Sequence, residues 1–301
     1  MLPDALSYPS ERRAFYQSHA ARLEALGFTQ GRETESTPTN EASRLAREQQ
    51  RHSDWFADNP EGSYNDFAGT PFWRAVDESH FSRWRPLLAP GQILLEVGCA
   101  QGRSTFAFAG ADLDIVGFDL SRRLVRQAVL KYRTKGPWRA RISFVLADAD
   151  AVPAPDGTYD AVLVYGVLHH VPRPGNVCRE VLRVLRPGGW FFGSENNHTA
   201  FRALFDFLMK VAPLWKEEAG PESLISERKL REWFGVGGPL VSHASIGTCV
   251  YLPPHFVNAL PASWSTMLVS LSDRVGQALP FFRGNGGLIF MTLRKQDQVP
   301  S

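Results

Sequence analysis

The sequence predicts an α/β protein in which helices cover both faces of a largely parallel sheet. Short apolar runs alternate with helical segments between residues 90 and 195, and the connections between them are short. The runs are apolar throughout, which is typical of strands buried on both faces. A turn that contains Gly98 and Gly102 follows the first run directly. Open sheets of this kind bind ligands at the carboxyl ends of their strands, so we expect the site there.

The elements can be assigned in chain order. Five strands are predicted in the regular part, at residues 93–97, 114–119, 142–146, 161–165 and 190–194. The helices expected between them lie at residues 104–110, at 122–131 with Ser121 as N-cap, and at 176–185, where Arg186-Pro187-Gly188-Gly189 is expected to end the helix. Further along, the predicted helices are 201–211 and 224–234, the second capped by Ser226, and the strand candidates are 242–252 and 288–293.

Composition narrows the class of protein. Of 301 residues, 44% are hydrophobic and 21% charged, and the net charge is +2, which does not indicate a highly basic nucleic-acid binder. The three cysteines form no CxxC pair, so neither zinc nor a dithiol centre is expected. Residues 1–13 do not read as a signal peptide, and Pro261, Asp273 and Arg274 interrupt the apolar stretch 256–282. We therefore expect a cytoplasmic protein.

The glycine turn and the acidic residues around it indicate the kind of ligand. A dinucleotide-binding turn needs glycine at positions 98, 100 and 103, but Ala100 and Arg103 occupy the last two. The Gly-Lys-Ser/Thr ending of a phosphate-binding loop is also absent from the sequence. Glu96, Asp119 and Asp148 instead accompany three successive strand ends. Carboxylates suit a ligand with hydroxyls, amino groups and a positive charge, whereas they would repel a pyrophosphate. Asp119 taken alone could also simply cap the next helix.

Six blocks in a fixed order extend this pattern. They are residues 95–102, 116–121, 147–149 with Pro153, 155–163, 167–171 and 179–189. In these blocks the chain resembles the class I S-adenosylmethionine-dependent methyltransferases, in the subgroup acting mostly on small molecules and lipids. The resemblance implies a Rossmann-like seven-stranded sheet, mostly parallel with one antiparallel strand, and S-adenosyl-L-methionine as cofactor, with S-adenosyl-L-homocysteine as product.

The resemblance also implies which residues hold the cofactor. Gly98, Cys99, Ala100 and Gly102 would pass their backbone against its amino-acid part, and Glu96 would orient the loop or bond the ammonium group. The remaining positions implied are Asp119 for the ribose hydroxyls, Leu120 for the adenine ring, Asp148 and Ala149 for the adenine amino group, and Tyr165 and Gly166 beside the methionine portion. The family often has glycine where this chain has Ala100, a mild departure.

Two histidines follow the fourth strand, where the acceptor would lie. His169 is the better candidate for a general base, and His170 is the better candidate for holding the loop. The predicted acceptor-binding residues are Glu195, Asn196, His198, Phe205, Trp215 and Phe256.

The predicted organisation has two parts. Residues 1–88 form an N-terminal helical extension that covers cofactor and substrate, and residues 89–301 form the core. Insertions at about 197–225 and 253–287 are expected to close over a hydrophobic acceptor. Alternatively, 253–287 contacts a membrane surface peripherally.

Methyl transfer to a small apolar or aromatic acceptor, a secondary metabolite or lipid, is the predicted function, with oxygen as the atom methylated. The alternatives are a non-catalytic S-adenosylmethionine-binding protein and a methyltransferase acting at nitrogen or carbon. A nucleic-acid or protein methyltransferase and a dehydrogenase are weaker rivals. No nucleic-acid partner is expected, and the sequence does not indicate an oligomeric state.

Overall fold

A computed structural model describes residues 69–199, 202–214 and 225–297 of the chain. Its strands are β1 (Ile93–Val97), β2 (Asp114–Asp119), β3 (Arg141–Leu146), β4 (Tyr159–Tyr165), β5 (Leu185–Asn196), β6 (Val241–Cys249) and β7 (Leu288–Lys295). They form one seven-stranded sheet in the order β3-β2-β1-β4-β5-β7-β6. The first five pair in parallel, and β7 runs antiparallel to both β5 and β6. The predicted fold class is confirmed.

Helices cover the sheet on both faces. In chain order they are α1 (Pro71–Trp84), α2 (Arg103–Ala107), α3 (Arg122–Lys135), α4 (Pro174–Val184), α5 (Arg202–Val211), α6 (Glu227–Trp233), α7 (Pro254–Asn258) and α8 (Ala262–Ala278), with a short 3-10 turn at Arg85–Leu87. The side chains of β1 alternate between two hydrophobic clusters. Leu95 packs in the cluster of α4 and α6, and its neighbour Leu94 packs in the cluster of α1, α3 and α8. Buried strands thus supply a core to each face.

The sequence predicted most elements to within a few residues. β1 and β2 have the predicted bounds. Both predicted N-caps are confirmed: the hydroxyl of Ser121 accepts from Leu124 N and that of Ser226 from Lys229 N, each at 3.4 Å.

Several boundaries needed correction, among them the end of α3, which lies at Lys135 and not at residue 131. α2 ends at Ala107, not at residue 110. The segment 186–189 does not merely end α4, because β5 begins at Leu185 and runs through it, with a register irregularity opposite Tyr159 and Ala161. β6 ends at Cys249, because Val250 takes a left-handed φ of 66° that no strand accommodates.

The insertion 253–287 contains two helices, α7 and α8, which the sequence reasoning did not assign. α8 lies against α1 and continues the cover on that face of the sheet. Within the described parts of the chain, no helix combines the length and the hydropathy that crossing a bilayer requires. Residues 1–68 of the predicted N-terminal extension lie outside the described residues.

Candidate functional site

The bend after β1 packs against the segment that follows β4. Gly98 has φ 69°, a conformation that favours glycine, and a Cβ on it would lie 2.5 Å from Cγ2 of Val167. The next residue, Cys99, donates its backbone N–H to the carbonyl of Phe118 at 2.9 Å. The ends of β1, β2 and β4 therefore meet closely, and only a residue without a side chain fits at their junction.

Glu96 lies buried beneath this bend. The hydroxyls of Ser104 and Thr105, at the start of α2, donate to its two carboxylate oxygens. Burial raises the pKa of Glu96 to about 7, against the lowering effect of these two hydrogen bonds. Of the two predicted roles, the observed contacts fit the first, in which Glu96 orients the loop, since both oxygens are directed at the helix that follows it.

Asp119, at the end of β2, ties the bend to α3. Its Oδ2 accepts from Ala100 N at 2.9 Å, and its Oδ1 accepts from Ser121 N at 2.8 Å. The first bond holds Ala100 in a left-handed conformation with φ 45°. Ser121 is the N-cap of the helix, and Asp119 supports it by accepting the N–H of that residue.

Asp148 follows β3 at the same edge of the sheet. Its side chain is exposed, and Oδ1 accepts from Asp150 N at 2.9 Å. Ala149 and Leu120 are half-buried. These three residues lie where the sequence predicted the adenine site, at the ends of the two strands that follow β1.

Tyr165, the last residue of β4, is held by helix α1. Its hydroxyl donates to Oδ1 of Asp77 at 2.9 Å and lies 3.0 Å from Nδ1 of His80. Sequence reasoning missed Asp77 and His80. They lie 88 and 85 residues before Tyr165, and no local sequence pattern links them to it.

These contacts form a chain of hydrogen bonds in which the donor and acceptor of each bond determine those of the next. Since the Tyr165 hydroxyl donates to Asp77, it accepts from His80, whose Nε2 then accepts from the thiol of Cys249 at 3.2 Å. Burial lowers the pKa of His80 to about 3, with a smaller effect from nearby arginines, so its ring is neutral as this arrangement requires. Arg103 closes the chain by donating to Asp77 at 3.0 and 3.2 Å. The residue that opens α2 is thus joined to α1, β4 and the end of β6.

His169 is paired with a buried carboxylate. Its Nδ1 lies 2.7 Å from Oε2 of Glu195, while Oε1 of Glu195 accepts from Val167 N at 2.9 Å and Leu168 N at 2.8 Å. The prediction that Glu195 lines the acceptor pocket is corrected by this geometry. Glu195 is buried, and its oxygens are directed at the histidine and the backbone that carries it.

Gly166, directly after β4, has φ 70° and lies close to the His169 ring. The nearest atom to a Cβ placed on Gly166 would be Cε1 of His169, at 3.9 Å. The ring centroids of His170 and His169 are 3.9 Å apart. The edge of the His169 ring therefore faces the end of β4, with His170 packed against it.

The other predicted acceptor residues are spread over a wider region. Asn196 is the last residue of β5, and the side chain of His198 is exposed. Phe205 on α5 is half-buried and lies 6.4 Å from the ring of His255, whereas Phe256 on α7 is largely exposed. Trp215 lies outside the described residues. The structure brings α5 and α7 together, but the predicted acceptor residues do not all lie on one surface.

The charges at this edge fit an adenosine that carries a positive sulfur. Carboxylates accompany the ends of β1, β2 and β3, and the nearby cations are engaged: Arg103 with Asp77, and Lys131 with Gln101 Oε1 at 2.6 Å. Among the described residues, a diphosphate would find Arg103 and Lys131 already engaged, although it needs cationic donors. Hydroxyl, amino and sulfonium groups would find acceptors instead, so the donor set fits S-adenosylmethionine.

Solved structures share this fold. The cyclase SpnF superposes with a TM-score of 0.58 at 22% identity, covering 83% of this chain and 97% of that one. A second structure is phosphoethanolamine N-methyltransferase 2 of Haemonchus contortus, solved with phosphomonomethylethanolamine and S-adenosylhomocysteine. It superposes with a TM-score of 0.54 at 14% identity, covering 87% of this chain and 61% of that one. At such identities the likeness establishes the fold alone, a Rossmann-like methyltransferase fold.

Sequence comparison finds a matching family within the core. The family described as a methyltransferase domain matches residues 95–193. Demethylmenaquinone methyltransferase of Renibacterium salmoninarum is 35% identical, with 44% of this chain and 56% of that protein aligned. Ubiquinone biosynthesis O-methyltransferase of Thiobacillus denitrificans is 32% identical, with 44% of this chain and 59% of that protein aligned. 27-O-demethylrifamycin SV methyltransferase of Amycolatopsis mediterranei is 35% identical, with 42% of each chain aligned. Residues 95–193 thus match a methyltransferase domain, and the chain spans about half the length of these relatives.

Proposed function

We propose that this protein transfers the methyl group of S-adenosylmethionine to a hydroxyl of a small apolar or aromatic acceptor. The observation that carries the proposal is the His169–Glu195 pair, with Nδ1 and Oε2 2.7 Å apart, beside Gly166 at the end of β4. The names of two relatives support it, since a ubiquinone biosynthesis O-methyltransferase and a 27-O-demethylrifamycin SV methyltransferase both name oxygen as the site of methylation. A hydroxyl acceptor must lose a proton, and this pair provides a group suited to take it.

The cofactor is proposed to lie across the ends of β1, β2 and β3. Its amino-acid part would lie over the bend from Gly98 to Gly102, with the ribose at Asp119 and the adenine between Leu120 and Asp148. Tyr165 would contribute the face of its ring, because its hydroxyl is directed at Asp77. When bound, the cofactor supplies a methyl group already activated by a positive sulfur, so the protein mainly has to align the acceptor and remove its proton.

His169 is proposed to remove that proton. Glu195 accepts two backbone N–H bonds and is therefore well placed as an anion, which fixes the proton of the His169 ring on Nδ1. Nε2 is then the nitrogen that takes the acceptor's proton. The acceptor oxygen forms its bond to the methyl carbon as the carbon–sulfur bond breaks, and the electron pair of that bond stays on sulfur. Glu195 is a positioning residue in this scheme.

The segments outside the central sheet are proposed to recognise the acceptor. Residues 1–88 would form an N-terminal extension, and the insertions at about 197–225 and 253–287 would close over the acceptor. The 253–287 segment is also proposed to contact lipid at its outer surface. A truncation of 253–284 that left turnover on the true acceptor unchanged would contradict the lid.

Cofactor binding is tested by calorimetry with S-adenosylmethionine and with NAD. We expect the wild-type chain to bind only the first, and Asp119→Ala to abolish binding while far-ultraviolet circular dichroism stays native. Asp297→Ala, which removes an exposed carboxylate far along the chain, is the control and should bind normally. Binding of NAD, or undiminished binding of S-adenosylmethionine by Asp119→Ala, would contradict the cofactor assignment.

Methyl transfer is tested by screening extract of the source organism with labelled methyl donor, then by kinetics on the acceptor found. His169→Asn should lower kcat by roughly 10²–10⁴-fold, and Glu195→Gln should lower kcat and shift its pH profile. His170→Asn is the matched control and should retain most activity. If His170→Asn instead gave the large loss, the roles of the two histidines would be reversed. Cofactor binding without any transfer would favour the non-catalytic alternative.

A further inference from the structure

Helix α8 carries its apolar side chains on the outside. Trp264, Met267, Leu271 and Val275 repeat at helical spacing and are 56, 55, 54 and 48% exposed. The opposite face, turned toward the protein, contains buried Ser265 and Asp273 beside Val269. A helix on the surface of a water-exposed protein normally has the reverse arrangement.

This orientation is fixed by polar contacts. Oδ1 of Asp273 accepts from Val250 N at 2.7 Å, and Nε2 of Gln277 donates to the carbonyl of Thr248 at 3.0 Å. Gly276 lies directly against the ring of Tyr251, since a Cβ there would be 2.5 Å from the ring. Rotating α8 to bury its apolar face would break these bonds and leave the Asp273 carboxylate without its donor.

The charges on this surface have one sign. Between Ala262 and Arg283 the charged residues are Asp273, Arg274 and Arg283. Asp273 is buried, while both arginines are exposed and form no ion pair with any residue in the described ranges. Leu279 and Phe281, the latter 81% exposed, extend the apolar surface past the helix. We call the surface formed by Trp264, Met267, Leu271, Val275, Leu279 and Phe281, with the two arginines, the outer face.

We propose that the outer face docks on an anionic lipid bilayer, with α8 lying parallel to the surface. An amphipathic helix buries its apolar side at the boundary between headgroups and acyl chains, and basic residues beside it pair with anionic lipid. The 17 residues of α8 extend about 25 Å at 1.5 Å per residue. Trp264 at one end and Phe281 beyond the other would mark the interfacial level.

The charges favour a bilayer over a second copy of the chain. A two-fold contact through the outer face would bring Arg274 and Arg283 of one copy toward those of the other, with no acidic side chain on that face to balance them. An anionic bilayer offers both an apolar layer and negative headgroups. The docking does not depend on methyl transfer, although it would give the proposed enzyme access to apolar acceptors.

The experiment is co-sedimentation of the full chain with vesicles of phosphatidylglycerol and phosphatidylcholine, and with vesicles of phosphatidylcholine alone. We expect binding to the first that weakens with salt, and little binding to the second. Leu271→Asp should weaken binding at least tenfold, whereas Leu130→Asp, which replaces an equally exposed leucine on α3, should not. Arg274→Gln should weaken binding about fivefold, and Arg133→Gln on α3 should not.

Three results would overturn the proposal. The first is no binding to anionic vesicles, or equal losses for the variants and their α3 controls. A second is a concentration-dependent dimer, seen by analytical ultracentrifugation, that Leu271→Asp dissociates, because a second copy would then cover the outer face. A third is a lowered Tm of lipid-free Leu271→Asp relative to Leu130→Asp, which would mean that other residues of the chain already cover this face.

Discussion

Replacing Gly98 by alanine tests the junction between the bend and β4. Two costs can be worked out from the structure. With φ at 69°, any L-residue pays roughly 1–2 kcal/mol for the left-handed conformation. The new Cβ would also lie 2.5 Å from Cγ2 of Val167, so Val167 must move by about 1 Å to reach a normal carbon–carbon separation. Overpacking of this kind costs about 1–3 kcal/mol, so we expect Gly98→Ala to destabilise the protein by about 2–5 kcal/mol.

Gly235→Ala is the matched control for the backbone cost. Gly235 has φ 59°, but no atom lies within 4 Å of its Cβ position. We expect Gly235→Ala to lose only the roughly 1–2 kcal/mol of conformational strain. The difference between the two variants, measured by urea unfolding at equilibrium, therefore isolates the collision with Val167.

A double-mutant cycle with Val167→Ala completes the test. Removing the Val167 methyl groups should restore most of the extra loss in Gly98→Ala, which appears as a coupling free energy of about 1–3 kcal/mol. Equal losses for Gly98→Ala and Gly235→Ala, or a coupling near zero, would refute the close approach of the two loops.

Two further predictions concern buried polar groups. Tyr165→Phe removes a hydroxyl that bonds Asp77 and His80, and should lower the free energy of unfolding in urea by about 1–3 kcal/mol. Tyr132→Phe is the control, and equal losses in the two variants would contradict the hydrogen-bond chain. Glu96→Gln should change how stability depends on pH, because the folded-state pKa of about 7 exceeds the ordinary value of 4.5. The native state then binds a proton that the unfolded state releases, so Glu96 makes stability fall by about 3 kcal/mol as pH rises through that interval. Unfolding measured at several pH values should show this component in the wild type and not in Glu96→Gln, and parallel curves would exclude it.

The central sheet was predictable because its strands are short, apolar and separated by clear turn residues. β1 and β2 have the predicted bounds for this reason. The start of β5 was missed, since Pro187 and two glycines resemble a turn while the chain in fact continues through an irregular register beside β4. α8 was missed as a helix although Trp264, Met267, Leu271 and Val275 repeat at helical spacing; the sequence contains this periodicity, and only the direction in which it faces requires the structure.

The site was predictable where one short segment carries it and unpredictable where distant segments meet. The bend from Gly98 to Gly102 and Asp119 lie close in sequence and in space. Glu195 was placed correctly at the end of β5, but its partner depends on how β4 and β5 align, which sets it beside His169. No local pattern marks Asp77, whose place follows only from the packing of α1.

The hydrogen-bond chain through α1 links the proposed cofactor side of the site to the acceptor side. Arg103 opens the helix after the glycine bend, and Tyr165 ends the strand beside which the acceptor would lie, yet both are bonded to Asp77. Every donor in this series of hydrogen bonds has an acceptor within the series. Moving α1 would therefore leave buried polar groups without partners at both ends of the series. We therefore expect α1 to move together with the bend. The helices α7 and α8, which follow β6 and of which α8 bears the outer face, also adjoin α1.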